Sequence, residues 1–211
     1  MNRIESSSPK PDRQDLEARF RGGAMRVLDV GCGVGKLPAL ARLSAGDWLL
    51  GVDLRYASLQ VAKQTYPQRE FLCCRAERLP FAAATFDRVI SSLAMPYTDI
   101  PRVLAEVRRV LPPGGLLFMS LHDVRFTLSE LRTAMPRPIP TLYRLYVLAN
   151  GLMFHVSGRV VPFPNGRIES FQTERGLRLA LQRAGFGDVV IKRPDGRFLV
   201  EARQSGVSVQ T

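Results

Sequence analysis

The sequence predicts an α/β fold built on a doubly wound sheet of seven strands. The sheet is mostly parallel, its last strand antiparallel, with an insertion between strands five and six. Three observations carry this expectation. Short apolar runs alternate with helical patterns from Arg26 to Leu121, the rhythm of a parallel sheet covered on both faces. The first run, Val27-Leu28-Asp29-Val30, passes directly into Gly31-Cys32-Gly33-Val34-Gly35-Lys36, which reads as strand, tight loop and helix start. The last two runs flank Pro194-Asp195-Gly196, a hairpin turn signal that makes the final pair antiparallel.

In chain order, residues 1–24 form a polar leader containing Ser6-Ser7-Ser8-Pro9, with a short charged helix over Asp12 to Arg21. Strand one covers Arg26 to Val30, and its helix Leu37 to Leu43. Trp48 to Asp53 is strand two, again ending in an acid, and Ser58 to Tyr66 is a helix closed by Pro67. Arg69 to Cys74 is a short third strand, followed by the polar loop Arg75 to Phe81. Phe86 to Ser92 is strand four. From Ile100 to Leu111, Val103, Leu104, Val107 and Val110 recur at helical spacing, and Pro112-Pro113-Gly114-Gly115 stops that helix.

Leu116 to Leu121 is strand five. From Val124 to Ser170 the rhythm is lost: Pro136, Pro138 and Pro140 read as breaks, and Leu142 to Phe154 is markedly apolar. Thr173 is an N-cap for a helix to Ala184, Asp188 to Lys192 is strand six, and Phe198 to Arg203 is strand seven. The expected organisation is therefore a domain over 25–203 with an insertion at 124–172, a leader before it and a flexible tail at 204–211.

Length and composition bound the function. At 211 residues, with 45% hydrophobic and 23% charged residues, the chain has the make-up of one globular domain with a substantial core. Its net charge of +11 is carried almost wholly by arginine, since only Lys10, Lys36, Lys63 and Lys192 are lysine. Such a surface attracts anionic partners, but the charge is dispersed, which favours a solvated arginine-rich surface over a dedicated nucleic-acid site. Three cysteines, Cys32, Cys73 and Cys74, show no metal-ligand spacing, and two histidines add none, so no metal site is expected. The polar N-terminus and the absence of a run of about 20 apolar residues point to a cytoplasmic protein.

The glycine loop fits neither phosphate-binding pattern. A P-loop needs glycine where Val30 stands and Ser or Thr where Leu37 stands, and in a dinucleotide fingerprint the third glycine would come one residue later than Gly35. A purely structural turn would not call for Asp29 before it. Nor would it call for Asp53 22 positions after Gly31, near the spacing of about 20 residues at which nucleoside-binding folds place a ribose carboxylate.

Five segments then occur in order: Val27–Lys36, Gly51-Val52-Asp53, Ala76–Phe81, Phe86–Ala94 and Glu106–Gly115. Together they resemble the class I S-adenosylmethionine-dependent methyltransferases, specifically the type-11 group that includes quinone-biosynthesis enzymes. The likeness is dense from Met25 to Asp123 and resumes at Ala184-Gly185-Phe186 and Arg197–Arg203. It implies a Rossmann-like sheet and S-adenosylmethionine as cofactor, with S-adenosylhomocysteine as product. It also implies that Gly31, Gly33 and Gly35, with Cys32 among them, pass under the methionine and ribose. Asp29 would lie near the amino group, and Asp53 would accept from both ribose hydroxyls. Leu54 would pack on the adenine, with Ala76 and Glu77 at its edge and Ser92 and Leu93 facing the methionine portion.

Two positions depart from that family. Arg75 stands where an adenine-binding Asp is common, and Met95-Pro96-Tyr97 keeps an aromatic but lacks the usual His. Methyl transfer from a sulfonium relies mainly on positioning, with a general base only where the acceptor must lose a proton. His122 and Tyr97, and more remotely His155, are the candidates, His122 having the best location beyond a parallel strand. The insertion 124–172 would cover the acceptor, and its apolar stretch suits an aromatic or apolar molecule, a membrane surface or a dimer contact. A small-molecule methyltransferase is the first reading. An RNA or polyanion methyltransferase and a non-catalytic cofactor-binding subunit are the alternatives. The oligomeric state has no signature in the sequence.

Overall fold

The computed structural model describes residues 25–206 apart from 37–42, 45, 123, 136 and 195–196. The helix expected over Leu37 to Leu43, the leader and the Asp195-Gly196 turn therefore lie wholly or mostly outside the described residues. The apolar runs form the strands β1 (Arg26–Val30), β2 (Trp48–Asp53), β3 (Glu70–Cys73), β4 (Arg88–Ser92), β5 (Leu116–His122), β6 (Phe186–Lys192) and β7 (Arg197–Gln204). Their order in the sheet is β3-β2-β1-β4-β5-β7-β6. The first five are parallel, and β7 runs antiparallel to both of its neighbours. Doubly wound topology, a parallel body and an antiparallel last strand are thus as the sequence predicts.

The order reverses between β1 and β4, and at such a reversal the loops leaving the strand ends diverge and open a crevice. Helix α1 (Tyr56–Thr65) follows β2 and α2 (Ile100–Val110) follows β4. The helical spacing read in α2 has its physical counterpart in the core, where Val103, Leu104, Val107 and Val110 are fully buried. Asp99 caps this helix by accepting from the Arg102 N–H. Arg109 near its end donates to the carbonyls of Phe81 (2.6 Å) and Leu79 (2.9 Å), while Glu106 accepts the Leu79 N–H at 2.7 Å. One helix thereby holds the loop 75–81 against the sheet.

Element ends differ from expectation at several places. Phe86 and Asp87 precede β4 as an anchor: Asp87 accepts the Arg26 backbone N–H at 2.8 Å and pairs with its guanidinium. Strand β6 starts at Phe186, two residues early, because a bulge between Gly187 and Val190 breaks the alternation that a reading by pattern relies on.

The largest departure is the insertion. It is not irregular: it forms α3 (Val124–Ala134) and the long α4 (Pro138–Ser157), then an extended segment leading to α5 (Glu174–Arg183). Pro138 and Pro140, which read as breaks, fall in the first turn of α4, where a missing N–H costs nothing. Gly158 ends the helix in left-handed conformation (φ +63°), its N–H donating to the Phe154 carbonyl. Phe154 reaches the main core, and α5 approaches it closely because Gly176 carries no Cβ; one placed there would lie 2.6 Å from the Phe154 carbonyl oxygen. Thr173 caps α5 as its position predicts, accepting from the Gly176 N–H.

Candidate functional site

The loop after β1 is fastened to the end of β2. The N–H groups of Gly31 and Cys32 both donate to the Val52 carbonyl, at 2.8 and 3.0 Å. Gly31 has φ +75°, and a Cβ there would sit 2.1 Å from Cβ of Ala94, so only hydrogen fits between this loop and the one leaving β4. Gly33 also has positive φ, but a Cβ on it would meet nothing within 4 Å. Gly33 thus presents bare backbone to open space. Below the loop, Arg69 donates to the Gly35 carbonyl at 2.9 Å and stacks over Tyr66.

Asp53 closes β2 beside this loop. One carboxylate oxygen accepts the Gly33 N–H at 2.9 Å and the other the Arg55 N–H at 2.8 Å. Two backbone donors thus orient the group, and each oxygen keeps a lone pair for a ligand. Leu54, next in the chain, is 61% exposed, an unusual setting for leucine beside a carboxylate. Across the crevice, Ser91 donates to the Val30 carbonyl and the hydroxyls of Ser92 and Ser120 lie 2.9 Å apart, tying β4 to both neighbours. Leu93 then turns with φ +59°, a conformation that costs a non-glycine residue about 1–2 kcal/mol. Its N–H donates to the Ser120 carbonyl.

These groups line a cavity of about 760 Å³, within the usual range of small-molecule sites. Of the cofactor-binding positions expected from sequence, Gly31, Gly33, Asp53, Leu54, Ala76, Glu77, Ser92 and Leu93 are on its wall. Asp29, Cys32 and Gly35 are not. Cys32 is turned toward β2, where a Cβ on Gly51 would touch its sulfur, and burial pushes its thiol well above the ordinary range. Gly35 packs toward Tyr66, Ala62 and Phe71. Asp29 is almost fully buried; that burial, together with the charge of Asp53, raises its carboxyl to about 7 against the opposing effect of Arg69.

Glu77 accepts from the Asp99 N–H at 3.3 Å and has the Arg75 guanidinium 3.5 Å away. The substitution that removes an acceptor from position 75 thus supplies a counter-charge to the neighbouring wall residue.

The two proton-transfer candidates separate. Tyr97 lines the cavity from the 3-10 turn Met95–Tyr97, and burial together with the nearby Glu169 raises its phenol above the usual value. His122 does not line it. Rather than lying just past strand five, it is the last residue of β5, stacked on Phe126 with ring centroids 4.3 Å apart. His155 is also elsewhere, its Nδ1 3.0 Å from the Thr173 hydroxyl.

The inserted segment supplies wall residues that the sequence reading did not single out: Gly166, Arg167 and Ile168, joined by Tyr143 from α4. Pro162, Pro164 and Gly166 give this stretch the chemistry of a turn, but nothing local signals that it folds back over the crevice. It does so through a network. The buried Glu169 accepts from Tyr143 (3.0 Å) and Arg144 (2.5 Å), and Arg144 also pairs with Glu130. Asn150 donates to the Glu169 carbonyl and accepts the Val161 N–H. The Ser170 N–H donates to the Pro96 carbonyl, fixing the segment to the turn that carries Tyr97. Tyr143, Tyr146 and Phe163 pack together, and the Arg167 guanidinium lies over the Tyr143 ring. The site therefore combines a bare-backbone and carboxylate half at the strand ends with an aromatic half from the insertion.

Residues 28–119 match a family model described as a methyltransferase domain. The chain is 41% identical over 110 residues to a malonyl-[acyl-carrier protein] O-methyltransferase of Erwinia pyrifoliae, covering 51% of this chain and 42% of that protein. It is 28% identical over 169 residues to a demethylmenaquinone methyltransferase of Chlorobaculum parvum, covering 76% of this chain and 65% of that protein. The chain thus spans less than two thirds of either curated relative. Its fold is similar to the crystal structure of an S-adenosylmethionine-dependent methyltransferase from Mesorhizobium loti. The TM-score is 0.59 at 21% identity, over 92% of this chain and 98% of that one.

Proposed function

We propose that the chain is a class I S-adenosylmethionine-dependent methyltransferase of the type-11 group and that it methylates a small, apolar or aromatic acceptor. The observation that carries this reading is one cavity with two chemically different halves. Gly33 and Asp53 fit the nucleoside end of the cofactor: a Cβ-free backbone faces open space, and a carboxylate preset by two N–H donors keeps acceptors for a pair of hydroxyls. Leu54 and Ala76 offer apolar surface for a flat ring, and Ser92 and Leu93, on the same wall, would border the methionine portion. The cofactor supplies a methyl group already activated on a sulfonium.

The chain's own part is then to exclude water and hold the acceptor in line, which supplies much of the acceleration. Tyr97, Tyr143 and Ile168 are suited to grip a ring or an apolar chain, and the segment 124–172 acts as the acceptor's cover. With its ionisation shifted upward, Tyr97 is a neutral phenol near neutrality, suited to donating a hydrogen bond to the acceptor and not to removing its proton. His122 has no direct part in this proposal. The demethylmenaquinone relative, whose match runs into the insertion, supports an aromatic acceptor; the malonyl relative matches only half of the chain.

The test is incubation with methyl-labelled cofactor and fractionated cell extract. Label entering a small-molecule or lipid fraction is the expected outcome. Label confined to RNA or protein would replace this reading, and cofactor binding without transfer to any fraction would favour a non-catalytic subunit.

A further inference from the structure

No exposed side chain of helix α4 is polar. Ile139, Leu142, Leu145, Leu152 and Val156 are exposed, from 50% at Leu145 to 81% at Ile139, and Ala149 on the same side is exposed too. The remaining exposed positions on the helix are the two prolines of its first turn. At 100° per residue the six fall on one side, opposite Tyr143, Val147, Asn150, Gly151 and Phe154, which face the core and the cavity. The one arginine of α4, Arg144, is held inward by Glu130 and Glu169. A helix of 20 residues is about 30 Å long, so this is a continuous apolar ridge far larger than scattered surface leucines.

Cations flank the ridge. Exposed Arg132 and Arg137 stand before its start and exposed Arg159 just past its end, none with a carboxylate partner among the described residues. The chain as a whole carries +11. An apolar face bounded by arginines is the pattern of a helix lying in the plane of an anionic lipid surface, with side-chain methyls in the acyl boundary and guanidinium groups among the phosphates. No helix among the described residues is long and apolar enough to cross a membrane, so the contact would be with the surface only.

A second copy of the chain is a poorer occupant. Two-fold pairing of α4 with itself antiparallel would set Arg132 and Arg137 of one copy against Arg159 of the other, like charge against like at both ends.

We propose that α4 docks the protein on an anionic bilayer surface through Ile139, Leu142, Leu145, Leu152 and Val156, with Arg132, Arg137 and Arg159 meeting the lipid headgroups. Because Tyr143 lines the cavity from the opposite side of the same helix, docking would hold the acceptor half of the cavity close to the lipid. The surface contact itself does not depend on the methyl-transfer reading.

Sedimentation of the full chain with vesicles, without cofactor or acceptor, tests the contact alone. Retention is expected on phosphatidylcholine mixed with phosphatidylserine, weakly or not at all on phosphatidylcholine alone. Leu142→Glu with Leu152→Glu should reduce it at least about tenfold while leaving the thermal transition in place, because both side chains are exposed. Arg137→Gln with Arg159→Gln should lower retention on the anionic vesicles. Absence of retention on anionic vesicles, or retention untouched by the glutamates, would overturn the proposal. So would a dimer, seen by analytical ultracentrifugation, that the glutamates dissolve.

Discussion

Asp53 and Asp29 stand two sheet positions apart in character, though both end or nearly end a central strand. Asp53 accepts one backbone N–H on each oxygen and opens to the cavity. Replacing it by Ala should weaken S-adenosylmethionine binding by about 1–3 kcal/mol in calorimetry, since hydroxyl donors lose a charged acceptor. Unchanged affinity would remove it from the site. Asp29 is enclosed, and its carboxyl titrates near 7 instead of 3.8. Between those values the native state holds a proton that the unfolded chain has released, so stability falls as pH rises through that interval. At about 1.4 kcal/mol per unit the cost at pH 8 is up to about 4 kcal/mol. Asp29→Asn should therefore raise the apoprotein's melting temperature at pH 8 and leave it nearly unchanged at pH 4. Equal shifts at both values would contradict a buried acid. Asp29 precedes the glycine loop in sequence, whereas Asp53 meets it only through the sheet; which one faces the cavity depends on the pleat and on how the strand ends meet.

The elements after β5 are where local reading failed. Proline at 136, 138 and 140 looked like interruption, yet α4 begins at Pro138 and runs unbroken to Ser157. Its inward face is shaped by contacts distant in sequence: Gly151 makes room for Phe171, and Glu169 gathers Tyr143 and Arg144. Such a buried carboxylate is held by its partners, and Glu169→Gln should lower unfolding free energy by about 1–3 kcal/mol in urea titration. S-adenosylmethionine affinity should stay unchanged, because Gly33 and Asp53 sit on other elements. A coupled loss of cofactor binding would mean that the two halves of the cavity are not independent. Helix α2 was legible by contrast, because its apolar spacing and the Pro112-Pro113-Gly114-Gly115 stop are local signals that the core simply uses.

At the scale of the whole molecule, a charge of +11 would suit a polyanion as well as a lipid surface or an ordinary solvated exterior. Salt discriminates among acceptors. Phosphate contacts would cost about 10³–10⁵ in affinity between about 50 and 200 mM salt, whereas turnover of a small apolar acceptor in detergent-free buffer should be almost flat. A steep decline would favour the polyanion. The sheet order, with its reversal between β1 and β4, puts the glycine loop and the Leu93 turn beside one crevice, and the motifs foretold that much because each is a strand end with its loop. The sequence alone therefore determined the sheet, the likeness to methyltransferases and most of the strand-end wall of the cavity. These depend on period, turn chemistry and short spacings written within one or two elements. Tertiary structure alone decided that Tyr97 reaches the cavity while His122 does not, that Arg167 and Ile168 join its wall, and that the outer face of α4 is left bare. Those outcomes follow from packing between segments many residues apart, where each contact depends on the placement of both partners and neither carries a local signal of the other.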